Sequence, residues 1–287
     1  MKKYLLLCTA LTILSSAHAA DLNCVALPDC ADLGFSMSES DCAGQFSLKC
    51  PFDNTKLFCK KYITKSCAVG DILYNDKKCY EGIPDPADKT PIGVVFYRRS
   101  TVPFGGYAVN LINTSLYWAT STYGGDTGLT KSNDYSVVVA DTQSGATKTS
   151  TIITTNATVY GSTSAAPGFC NQSTAGGVAT GTWFLPSMYE LSLLNANRTA
   201  VATGITNAGG TAITNGRHWT SSEANGTESA WAANPVSSTF STSAQSGGKY
   251  ASKQYVRCIT TWGNITAIGG DFDAVVTPGN GIVGILP

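Results

Sequence analysis

Trp183-Phe184-Leu185-Pro186-Ser187-Met188-Tyr189-Glu190-Leu191 is the stretch from which the fold can be read. Pro186 disfavours the helical region for Leu185, so the chain should arrive there extended. Ser187 and Glu190 then stand three apart, the spacing of a capping box in which each satisfies the other's backbone N–H. The helix that follows should run to about Asn195, with Met188, Leu191 and Leu194 on one face. Working outward, residues 200–208 read as a second helix, with Val201 and Ile205 four apart. Gly209-Gly210 should end it, because glycine adopts the left-handed position after a helix at little cost.

On either side the pattern is one of strands. Residues 92–97 form a strongly strand-forming run. Residues 107–112 read as its hairpin partner across a loose tip at 98–104. Residues 116–118 should be core. In the Gly-, Ser- and Thr-rich stretch that follows, Val137-Val138-Val139 reads as a short strand, and residues 149–158 and 165–170 as short helical turns. Beyond the helices, 217–223, 230–233, 239–243 and 253–262 read as strands, with Asn225-Gly226 and Gly247-Gly248 as turns. The fold class is therefore α+β.

The chain of 287 residues opens with Lys2-Lys3, an apolar run and an Ala-His-Ala ending at Ala19. That order is a secretory leader with cleavage expected after Ala19. Its apolar core is too short to span a bilayer, and no later run reads as a membrane span. Removing Lys2 and Lys3 leaves 17 basic against 19 acidic residues, so no strongly basic face exists and nucleic acid is not an expected partner. Localisation should be secreted or cell-surface, or periplasmic.

Nine cysteines follow the leader: Cys24, Cys30, Cys42, Cys50, Cys59, Cys67, Cys79, Cys170 and Cys258. In an exported chain this density reads as disulfide bonding, and an odd number leaves one thiol over. Seven of the nine fall in residues 20–82, a segment too small to fold on apolar contacts alone and therefore a stapled module. Within it a Cys67–Cys79 bridge across a hairpin is the expected pairing. The connectivity of Cys30, Cys42, Cys50 and Cys59 stays open, with Cys24 the candidate for the odd thiol. Pro84, Pro86 and Pro91 mark residues 83–91 as a linker. A folded domain over 92–263 and a tail over 264–287 complete the organisation.

The order of Trp183–Leu191, Gly209-Gly210-Thr211, Trp219-Thr220-Ser221-Ser222-Glu223, Ala230-Trp231 and Tyr255-Val256-Arg257-Cys258 resembles the bacterial Lcl C-terminal domain family, over roughly residues 90–263. That resemblance implies a C-type lectin-like fold: a terminal strand pair, two helices in the first half and a twisted antiparallel sheet in the second. It also implies a structural disulfide between Cys170 and Cys258. The N-terminal module resembles small Cys-rich repeats of bacterial surface proteins. The sequence departs from sugar-binding C-type lectins, which use Glu-Pro-Asn or Gln-Pro-Asp and Trp-Asn-Asp triplets for calcium. Ala233-Asn234-Pro235 lacks the first carboxylate, and Asp126, Asp134, Asp141 and Glu223 are scattered, so no metal or other cofactor is expected.

Catalytic sets are equally hard to assemble. His218 is the single imidazole after the leader and reads as a strand residue beside Trp219. Glu190 is explained by capping, and Glu223 by hydrogen bonding within its strand. The expected function is non-catalytic, adhesin-like ligand binding to an extracellular protein or glycan. Tyr and Trp bury area at low entropy cost. The loops between 223 and 254 are therefore the candidate face, with Asn225, Glu228, Trp231, Asn234, Lys249 and Tyr250 as lead residues. The alternatives are an enzyme of formylglycine-generating type, which would need a free Cys170 or Cys258, and a structural subunit that self-associates through the odd cysteine or the apolar end.

Overall fold

The computed structural model describes residues 47–50, 53–59, 63–81, 89–99, 105–121, 125–141, 143–226, 228–245, 248–263, 274–276 and 282–285. The expected leader, the odd thiol at Cys24, and Cys30 and Cys42 lie outside these residues. So do the side chains on which any pairing of Cys50 and Cys59 rests, and most of the 83–91 linker.

The chain divides into two compact units, Met1–Thr64 with Tyr80–Asp85, and Lys65–Cys79 with Pro86–Pro287. In the first, β1 (Ser47–Cys50) pairs antiparallel with β2 (Asp53–Cys59). Next in the chain come β3 (Ile63–Lys65), β4 (Ile72–Tyr74) and β5 (Cys79–Glu81), and β3 pairs with β5.

The second unit continues with β6 (Pro91–Arg98), β7 (Gly105–Asn110) and β8 (Thr114–Leu116). The helices α1 (Tyr135–Val139), α2 (Gly145–Thr155), α3 (Ala157–Tyr160), α4 (Ala166–Gln172), α5 (Met188–Ala196) and α6 (Arg198–Asn207) follow. After them come β9 (His218–Glu223), β10 (Ala230–Ala233), β11 (Thr242–Gln245), α7 (Gly248–Ala251), β12 (Gln254–Val256) and β13 (Ile259–Gly263). The expected tail contributes β14 (Ala274–Val276) and β15 (Ile282–Ile285), which pair with each other.

Two sheets organise this unit. One is antiparallel, in the order β13-β7-β6-β4. Residues 65–79, read from sequence as part of the Cys-rich segment, thus lie in the second unit, with β4 hydrogen-bonded to β6. The other sheet has the order β11-β10-β9-β12-β8. Its β9 and β12 run parallel through Tyr255 and His218, so it is mixed and not the purely antiparallel sheet that the resemblance implied. Ile92 to Phe96 are all buried. That explains an unbroken apolar strand, since burial on two faces removes the usual alternation.

The capping box forms as written. Glu190 N–H donates to Ser187 Oγ at 3.2 Å, and Ser187 N–H donates to Glu190 Oε2 at 2.7 Å. The helix is buried from Met188 through Asn195, all the way round and not on the one expected face. The second helix starts at Arg198, two residues before the expected start, and Gly209 adopts the left-handed φ of 68°.

Two disulfides are present among the described residues. Cys67–Cys79 spans 12 residues. Cys170 on α4 joins Cys258, between β12 and β13, across 88 residues. The first does not bridge a two-stranded hairpin of its own residues, because β4, which it encloses, pairs with β6.

Several local readings are corrected. Val137-Val138-Val139 is helical, not a strand. Asp134 caps α1 by accepting from Ser136 N–H at 2.8 Å, and burial of Val138 and Val139 outweighs the β preference of valine. The hairpin partner of β6 begins and ends two residues early, at Gly105 and Asn110. The run 239–243 becomes Thr242–Gln245. The run 253–262 is broken at Arg257-Cys258 into β12 and β13, which belong to different sheets. Arg257 is the cause. It is fully buried and donates from Nη1 to Asn110 O at 2.8 Å, from Nε to Asn113 Oδ1 at 3.2 Å, and from Nη2 to Thr211 O. A cation held among acceptor oxygens and a disulfide at adjacent positions pull the chain out of a continuous ladder.

Candidate functional site

Among the described acidic groups, Asp126, Asp134, Asp141, Glu190, Glu223 and Glu228 are engaged in internal bonds. Gly145 N–H donates to both Glu190 oxygens at 3.1 Å, so one carboxylate serves the start of α2 as well as that of α5. Complete burial raises the Glu190 pKa, against the opposing pull of its donors and of Lys148. The approach needs glycine at 145: a Cβ there would lie 2.4 Å from Glu190 Oε2 and 2.5 Å from Leu185 O. The Tyr107 hydroxyl, also buried, has its pKa raised by burial first and then by Glu190, yet makes no hydrogen bond of good geometry. Lys148 is buried beside Asp141 at 2.7 Å and reaches Ser222 Oγ at 3.4 Å.

His218 sits on β9, fully buried. Its Nδ1 lies 2.9 Å from Gly216 O and its Nε2 3.3 Å from Asn113 Oδ1. Gly216 O and Asn113 Oδ1 are both acceptors, and the neutral ring has a single N–H for the two of them. Burial lowers the pKa to about 4, with Arg257 adding to the shift.

The six lead residues divide. Asn225 is exposed at the turn after β9, and its N–H donates to Asn133 Oδ1 at 3.0 Å. Glu228 and Tyr250 are half-buried and bonded to each other, with the Tyr250 hydroxyl donating to Glu228 Oε2 at 3.0 Å. That bond and the Glu228 charge raise the Tyr250 pKa. Asn234 is half-buried and donates to Asn215 Oδ1 at 2.7 Å. Trp231 and Lys249 are buried. Trp231 Nε1 donates to Ser132 O at 2.7 Å. Lys249 Nζ contacts Glu223 Oε1 and lies 4.3 Å from the centre of the Trp118 ring. Thr127 Oγ1 donates to the other Glu223 oxygen. Nothing in 217–254 announces that Thr127 and Trp118 would close over this pair. A Lys-Tyr pair between turns looks like a surface until its partners are known.

Asp126, Asp134 and Asp141, with Glu223 the scattered carboxylates of the sequence, are bound to Lys131, Ser136 and Lys148 respectively. Among the described residues no three His, Cys, Asp or Glu side chains converge as a metal site would need, and no helix is long and apolar enough to cross a membrane.

A cavity of about 590 Å³ opens beside β13, lined by Lys77, Tyr107, Ser144, Phe184, Thr261 and Trp262 among others. Burial lowers the Lys77 pKa to about 8. Its ammonium donates to Thr260 Oγ1 and, at 3.2 Å, to Thr261 O, and lies 5.8 Å from the Trp183 ring. Sequence reasoning missed this cavity because its walls come from stretches far apart in the chain, and Phe184, the wall residue within the capped-helix motif, reads there as structural.

No family model matches the sequence, and no curated protein matches it. A solved structure titled a fimbrial protein from Bacteroides ovatus ATCC 8483 is similar over 68% of this chain, with 14% identity and a TM-score of 0.43. The chain spans about half, 48%, of that structure's length.

Proposed function

We propose that this chain is an exported surface or secreted binding protein. Its second unit is a C-type lectin-like domain of the Lcl C-terminal kind, which recognises an extracellular protein or glycan through the loops between residues 223 and 254 and transforms nothing. One observation carries the reading: Glu223, at the start of that segment, and Lys249, near its end, are buried against each other. Their pairing anchors the segment from both ends and leaves Asn225, Glu228, Asn234 and Tyr250 at the surface as adaptable hydrogen-bonding groups. The Cys170–Cys258 bond also removes both thiols on which a formylglycine-generating enzyme would depend. Trp231 and Lys249 act in this reading as supports for the face. The test is binding of the purified protein to glycan arrays and to extracellular proteins, before and after alanine replacement of Asn225, Glu228, Asn234 and Tyr250 together. Loss of binding with an unchanged melting temperature is expected, and unchanged binding refutes the face.

A further inference from the structure

The pair that anchors the loops has the features of a reaction centre as well as of an ion pair. We propose that Lys249 Nζ and Glu223 Cδ condense within the folded chain to an amide, a covalent cross-link that closes residues 223–249 into a ring. Four observations lead to it. Both side chains are almost completely removed from water, 2% and 1% exposed, so the amide once formed is shielded from hydrolysis. Nζ and Oε1 are in direct contact, which holds the nucleophile beside the carboxyl group without a search. Thr127 Oγ1 donates to Oε2, the oxygen on which negative charge grows as the nitrogen attacks. The fourth is electrostatic. Burial lowers the Lys249 pKa, against the pull of Glu223. A desolvated ammonium–carboxylate pair is costly, and moving one proton from Nζ to the carboxylate yields the neutral amine and acid that condensation requires.

The step balances without a co-reactant. The amine lone pair attacks Cδ, the Cδ–N bond forms, and the C=O at Oε2 becomes an oxyanion held by Thr127. Oε1 then leaves as water, carrying its own proton and one from the nitrogen. The Trp118 ring, 4.3 Å from Nζ, covers one side of the site, and its indole N–H donates to Thr220 O at 2.8 Å and so is not free to donate to the Glu223 carboxylate.

Digestion of the denatured full chain by chymotrypsin decides the matter, since cuts after Trp231 and Phe240 separate Glu223 from Lys249 in an unlinked chain. With the cross-link, the two fragments appear as one species lighter than their sum by one water. Two separate fragments, each at full mass, overturn the proposal. The Lys249→Arg variant keeps a cation but lacks the amine, and should release two fragments. A joined species from that variant would equally overturn the assignment. Because the wild-type chain alone gives the decisive mass, the result does not depend on the variant's folding, nor on whether the loops bind the proposed ligand.

Discussion

Gly145 shows how much one absent side chain can decide. A methyl group there would meet Glu190 Oε2, Leu185 O and Ser187 N, all within 3 Å of the added carbon. None of these atoms is the tip of a flexible surface chain, so α2 would have to move off α5. Gly145→Ala should therefore destabilise the fold by about 1–3 kcal/mol, the usual range for overpacking, although alanine favours helices elsewhere. Urea denaturation measures it; equal stability of variant and parent would show that the two helix starts yield without cost. His218 makes a second residue-scale prediction. Its folded pKa, about 4, lies below the unfolded value of 6.5, so the unfolded chain takes up the proton first. Its share of stability is whole above pH 6.5 and is lost as pH falls toward 4, up to about 3 kcal/mol in all. Glu190, with a raised pKa, pulls the other way over part of that window. The clean measurement is thus the difference between the wild type and His218→Gln, which should narrow steadily from pH 7 to pH 4. A difference independent of pH would mean that the imidazole is not buried neutral.

At the scale of elements, the start of α5 was legible because its signals are local: Pro186, Ser187 and Glu190 act within four residues. Replacing Ser187 by alanine removes the acceptor for Glu190 N–H and should cost about 1–2 kcal/mol, the upper part of the capping range, because the orphaned donor is buried. Differential scanning calorimetry would register it as a lower melting temperature; an unshifted transition would show that the cap is redundant. The break between β12 and β13 was not legible for the opposite reason. Arg257 is held by Asn110, Asn113 and Thr211, each far from it in sequence. Its own neighbours, Tyr255, Val256, Ile259 and Thr260, all favour continuing the strand. Likewise the valines of α1 carry strand propensity, and only the Asp134 cap and the buried positions of Val138 and Val139 turn them into a helix. The candidate face divides along the same line. Asn225 sits at an Asn-Gly turn that the sequence displays, whereas Trp231 and Lys249 are drawn inward by Ser132 and by Glu223 with its Thr127 donor.

At the scale of the whole chain, the α+β class follows from counting strand runs and two helices, but the division into sheets depends on covalent and long-range links. The Cys170–Cys258 bond ties α4 to the junction between the two sheets across 88 residues. In the chain-entropy view, restricting a loop of that length in the unfolded state contributes about 4–5 kcal/mol, against about 3 kcal/mol for the 12-residue Cys67–Cys79 loop. The larger figure is comparable with the entire stability of many domains. Replacing Cys170 and Cys258 by serine should accordingly lower the denaturation midpoint more than replacing Cys67 and Cys79, both measured without reductant and with the remaining disulfides intact. The ordering is informative because the two bonds constrain different things. Cys67–Cys79 closes a local turn that feeds β4 into the edge of one sheet. Cys170–Cys258 fixes the point where the chain leaves one sheet for the other, immediately after the segment that carries the proposed binding loops. If the loops owe their geometry to that point, the Cys170→Ser/Cys258→Ser variant should also lose ligand affinity at temperatures where it is still folded, while the Cys67→Ser/Cys79→Ser variant should not. Equal effects of the two replacements on stability would mean that the unfolded chain is already compact around α4 and β13, and the long cross-link would then have little entropy left to remove.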